Sequence, residues 1–142
     1  MPPRFIGRYA EMRSAEAERI VTVLAERARE ILPSSEYEVV TSRGSLTIRG
    51  VGQNLGNTNG LLVRPIWLSP MPLDKRLNAV LDGLGRAVER CLTRPCGTET
   101  PVTGAEPHVR ITDDTVRLWW GGPAEAEALV QVRPIARAEI GV

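Results

Sequence analysis

At 142 residues, with a formal net charge of +1 and ordinary shares of hydrophobic and charged side chains, the chain is one globular domain with room for a real core. That composition excludes disorder, and so small a net charge excludes a global field drawing the chain to nucleic acid or membrane. No apolar run approaches membrane-spanning length, so no membrane partner is expected.

Residues 1–13 carry Pro2, Pro3 and Gly7 and are expected to form an irregular leader. They lack the apolar stretch of a secretion signal, so the expected location is the cytoplasm, or a virion assembled there. Ser14 is placed to cap a helix to about Leu32, with Glu16 and Glu18 near its positive end. Ile20, Val23, Leu24, Ala28, Ile31 and Leu32 share one face, with the stem of Arg27 among them. Pro33-Ser34-Ser35 stops it.

Two strand-like runs follow, Tyr37–Thr41 and Ser45–Gly50, joined at Ser42-Arg43-Gly44. Gly44 supplies the positive φ a tight hairpin needs. The Gly/Asn-rich loop from Val51 to Gly60 matches no phosphate-binding pattern and joins strand to strand. A third strand, Leu61–Leu68, is expected at a sheet edge because Pro65 cannot donate to a ladder.

A second amphipathic helix is expected from Pro72–Asp74 to about Thr93, with Leu77, Val80, Leu81, Leu84, Val88, Cys91 and Leu92 along one side. Gly83 and Gly85 weaken it by about 1 kcal/mol each relative to alanine, which implies something packed closely against them. After a long loop, Pro95–Pro107, come a hairpin (His108–Ile111 and Thr115–Trp120, turning at Asp113-Asp114) and a third strand, Leu129–Ile135, broken by Pro134.

The tetrapeptide Val-Arg-Pro-Ile occurs at Val63–Ile66 and again at Val132–Ile135. It implies two αβββ units, about 14–68 and 72–137, related by an approximate two-fold axis. The expected fold is α+β: a single domain with one antiparallel sheet and both amphipathic helices on one face.

Candidate chemistry is sparse. His108 is the only histidine, and no serine or cysteine stands in a nucleophile context, so no catalytic residue is assigned and no enzyme is expected. Cys91 reads as a buried thiol and Cys96 as a loop residue; with one histidine they make no metal site. No cofactor and no small-molecule ligand are expected. Strand alternation, by contrast, places Arg49, Arg64, Arg110, Arg117 and Arg133 outward with Trp119, while Trp67 is left as a second exposed tryptophan. Glu38 is the main acid able to neutralise them.

An arginine face with exposed tryptophan reads first as a protein interface, in a homo-oligomer or a larger complex, since Arg and Trp dominate interface hot spots. The alternative is a nucleic-acid or anion-binding face with Trp119 stacking on a base. A small enzyme with a site between the halves is the second alternative. The element order alone resembles that of small secretion chaperones and of terminator or connector proteins of tailed bacteriophages. No motif carries that likeness, and what it implies is an assembly role, such as a bacteriophage head–tail or tail component.

Overall fold

The computed structural model describes residues 3–51, 58–93 and 102–142, with side chains from Glu11 onward. Helix α1 runs Pro3–Ile31, so it begins well before Ser14. Proline suits a first helical turn, and Arg4, Arg8, Ala10, Glu11, Met12 and Arg13 are good helix formers. Together they outweigh the cost of about 1 kcal/mol at Gly7, and Ser14 ends up inside the helix rather than capping it. Its buried stripe is Ala17, Ile20, Val21, Leu24 and Ala28.

Strands β1 (Tyr37–Ser42) and β2 (Ser45–Gly50) form the expected hairpin, with Ser42 opposite Ser45. The two turn residues both have positive φ, 35° at Arg43 and 78° at Gly44, the backbone that matches strand twist in a two-residue turn. Glycine is needed at 44 for a second reason: a Cβ there would sit 2.5 Å from Arg64 Cβ.

Strand β3 (Thr58–Leu62) pairs with β2 and then gives way to a short helix, α2 (Val63–Trp67), where the sequence suggested more strand. Pro65 is compatible with this because N–H groups in the first helical turn have no intrahelical acceptor. The second copy of the tetrapeptide does behave as an edge-strand break. Strands β6 (Ala128–Gln131) and β7 (Ile135–Ala136) both pair with β5 (Thr115–Gly121), and Arg133-Pro134 lies in the gap. The same four residues are thus helical in one copy and extended in the other. They give an internal repeat no structural support.

With β4 (Pro107–Ile111) pairing to β5, the strands form two antiparallel sheets, β1-β2-β3 and β4-β5-β6 with β7 also on β5. The fold is a single α+β domain, but the one continuous sheet expected is split, because β3 and β4 do not pair. Helix α3 (Leu73–Thr93) spans the division, packing on β3 of one sheet and on β4 and β5 of the other. No helix among the described residues is long and apolar enough to cross a membrane.

The two glycines of α3 mark the closest approaches. A Cβ on Gly83 would meet Leu61 Cδ1 at 2.5 Å, and one on Gly85 would meet the Pro107 ring at 2.6 Å. Trp120 Nε1 donates to the Gly85 carbonyl at 2.8 Å, so the helix cannot easily move aside. Gly85→Ala should therefore lower stability by about 1–3 kcal/mol through overpacking, although alanine favours helix. Urea denaturation measures this, and a stabilised variant would refute the packing argument.

These contacts also set direction. Asn59 meets Cys91, and Leu61 meets Gly83, so β3 runs antiparallel to α3. Pro107 meets Gly85, while Arg137 bonds both the Thr112 carbonyl and Asp74, so β4 is antiparallel to α3 as well. Both hairpin turns consequently point towards the end that carries the first turn of α3.

Candidate interaction faces

Arg49, Arg64, Arg110, Arg117 and Arg133 are all exposed, but they do not form one face. Arg49 lies on the first sheet, Arg64 on α2, Arg110 and Arg117 on β4 and β5, and Arg133 in the break after β6. Splitting the sheet and turning residues 63–67 into helix separated them.

Acids meet four of the five. Register places Glu38 directly across from Arg49, and they pair at 3.1 Å. Both are exposed, so the pair stabilises by at most about 1 kcal/mol. Arg133 reaches back to Glu30 on α1, also at 3.1 Å. This contact holds the Glu30 carboxyl below its ordinary range and raises the Arg133 guanidinium. Glu30 was not foreseen because it lies on a helix remote in sequence.

The pair Arg110 and Arg117 is different. They stand directly opposite one another across β4 and β5, a placement that repels like charges. One carboxylate serves both: Glu125 Oε2 lies 2.9 Å from Arg117 and Oε1 lies 3.9 Å from Arg110. Glu125 opens the 3-10 turn Glu125–Glu127 that folds back over β5. Gly121, at φ 145°, lets the Glu127 carbonyl approach, since a Cβ there would lie 2.5 Å from it. Glu125 Oε1 is buried and accepts no hydrogen bond among the described residues. Two guanidinium groups with one partly satisfied carboxylate leave about one uncompensated positive charge on this face.

Neither tryptophan assigned to the surface is there. Trp67 is 0% exposed, because α2 turns its ring into the core under the Arg76 guanidinium, 4.6 Å away. Trp119 is 5% exposed although it faces away from the helices. His108, its cross-strand partner, stacks on the ring at 5.6 Å, and Trp119 Nε1 donates to the Gly122 carbonyl at 3.0 Å. Aromatic width and a folded-back loop cover what alternation alone would expose.

His108 is tied down in turn: its Nε2–H donates to the Gly121 carbonyl at 2.9 Å. Cys91 is buried, with burial pushing its thiol up to about 11 against weaker lowering by Asn59 and Tyr37. Such a thiol stays protonated and unreactive. Cys96 lies outside the described residues, as does most of the Gly/Asn loop. Among the described residues no three His, Cys, Asp or Glu side chains are grouped to hold a metal ion. Asp113-Asp114 forms the expected turn, with Asp114 Oδ1 accepting from the Thr112 and Thr115 hydroxyls.

Sequence reasoning missed the buried arginines as anchors. Arg27 donates to the carbonyls of Arg133 and Pro134 and to Glu139. Arg76 donates to those of Met71 and Trp67, and Arg13 also reaches the Trp67 carbonyl. A guanidinium on an apolar helical stripe was the available signal. A groove of about 650 Å³ opens beside β1, lined by Arg29, Ser34, Tyr37, Glu38, Val39 and Val51. Arg29 donates to the Val39 carbonyl there at 2.8 Å, which blunts the free strand edge.

Comparison with known protein families, curated proteins and solved structures finds no match for this chain.

Proposed function

We propose that this is a non-enzymatic interaction protein that works as a subunit of a larger assembly, of the kind found at a bacteriophage head–tail junction or tail. The observation that supports this most is the opposed Arg110–Arg117 pair sharing the single carboxylate of Glu125. A strand face with a surplus cation suits an acidic protein surface, which would relieve the repulsion and reach the guanidinium donors Glu125 leaves open. The nucleic-acid alternative loses its main support, since the Trp119 ring is buried against His108 and offers no platform to a base.

Sedimentation velocity at tens of micromolar protein in low salt tests the reading. The wild type should contain species of more than one chain, and Arg110→Gln with Arg117→Gln should reduce their mass while circular dichroism stays native. A single-chain species under all conditions would sink it.

A further inference from the structure

One end of the molecule is self-complementary. Both hairpin turns point to the end bearing the first turn of α3, and they carry opposite charge. The β1–β2 turn presents Arg43, with Arg64 laid along Gly44: Arg64 N–H donates to the Gly44 carbonyl at 2.9 Å, and its stem fills the space a Cβ would take. Both side chains are exposed, and neither forms an ion pair among the described residues, unlike the arginines of the sheet faces. Arg43 also holds a left-handed backbone that non-glycine residues seldom adopt. The β4–β5 turn presents Asp113 and Asp114, both exposed. Among the described residues the Asp114 carboxylate accepts only hydroxyl hydrogen bonds, and the neighbouring cation, Arg137, is committed to Asp74.

Between the two turns the surface is apolar. The chain from Leu62 to Asp74 runs from the basic turn to the acidic one, through α2 and the connector Leu68–Pro72. Along it Leu62 is 65% exposed, Leu68 41% and Met71 37%. Arg76 and Arg13 clamp this stretch through the Trp67 and Met71 carbonyls, so the patch is held in a fixed shape.

An apolar strip with a basic rim at one end and an acidic rim at the other matches its own two-fold image. We propose that this end pairs with the same end of a second copy about a two-fold axis. Arg43 and Arg64 of each chain face Asp113 and Asp114 of the other, with Leu62, Leu68 and Met71 packed between. This inference rests on the assembly reading above but uses a different surface, leaving Arg110 and Arg117 free for a further partner. A nucleic acid is disfavoured as occupant because the acidic turn stands at the same end.

The test mixes two charge variants after thermal melts show that each stays folded. Arg43→Asp with Arg64→Glu makes both turns acidic; Asp113→Arg with Asp114→Asn makes both turns basic and keeps an oxygen for the Thr112 and Thr115 hydroxyls. Each alone should raise the dimer Kd at least about tenfold, and an equimolar mixture should restore a two-chain species. The pair should persist in the Arg110→Gln, Arg117→Gln protein. For the unaltered protein, raising salt should weaken the dimer by about tenfold or more, a measurement that needs no variant. A wild type that never exceeds one chain overturns both this pairing and the assembly reading. Larger species indifferent to the turn charges and to salt, or variants whose mixture stays single-chain, overturn the pairing alone.

Discussion

Arg27→Met is expected to destabilise the fold by about 3–5 kcal/mol, more than any surface substitution considered above. Arg27 is 1% exposed, and its guanidinium ties the core of α1 to the second Val-Arg-Pro-Ile segment and to the C-terminal 3-10 helix Arg137–Ile140. Methionine fills much of the volume but takes the charged donor from the Arg133 and Pro134 carbonyls, and each such part-buried hydrogen bond lost costs about 1–3 kcal/mol. Glu139→Gln should cost less, roughly 1 kcal/mol, because the carboxylate is 38% exposed and water screens its pairing. The two variants also separate by pH. The Ala136 N–H and then Arg27 hold the Glu139 carboxyl below its ordinary value of 4.5. Its contribution is therefore complete above the unfolded value and lost as pH falls through the lower folded one. Urea midpoints taken from neutral to strongly acidic pH should fall less steeply below about 4.5 in Glu139→Gln than in wild type. Glu30, lowered by Arg133 in the same sense, keeps the slope from vanishing. A Glu139→Gln profile parallel to wild type would show that the carboxylate does not anchor Arg27.

Periodicity carried the helices and hairpins because their residues answer to local rules. Leu46 and Ile48 face the core while Arg49 faces out, and Val116, Leu118 and Trp120 do the same on β5. Gly83 and Gly85 announced close neighbours, and Leu61 and Pro107 are there. What stayed illegible depends on partners distant in the chain. Residues 63–66 and 132–135 are identical in sequence, yet the first bonds to Gly44 and coils, while the second is held extended by β5 and by Arg27. No local property distinguishes them. The acids that neutralise Arg133 and Arg117 come from a helix over a hundred positions away and from a loop that folds back over β5. Alternation matches the exposure of Arg49, Arg110 and Arg117 but does not apply to Arg64 on α2, and it said nothing about which charges surround them. The same gap misplaced both tryptophans, whose rings are covered by elements that strand pattern does not describe.

The two tryptophans fully inside the core should respond differently to the same change. Trp120 is buried and donates to the Gly85 carbonyl at 2.8 Å, so Trp120→Phe loses ring volume and a buried hydrogen bond to a helical carbonyl. The expected cost is about 2–4 kcal/mol. Trp67 is equally buried, but its Nε1–H has no acceptor among the described residues. Trp67→Phe removes that orphaned donor while giving up volume and some of the cation–π attraction to Arg76. These terms oppose one another, and the net cost should be about 1 kcal/mol or less. The comparison is made in one protein with one chemical change, so differences in helix propensity and in the unfolded state largely cancel. Equal losses in urea denaturation would mean that the Trp67 N–H finds an acceptor in solution. A near-neutral Trp67→Phe carries a further consequence for assembly. The Trp67 carbonyl, which Arg13 and Arg76 hold, is backbone and survives the substitution. The fixed path of Leu62, Leu68 and Met71 should therefore survive with it, and a two-chain species should form as in wild type.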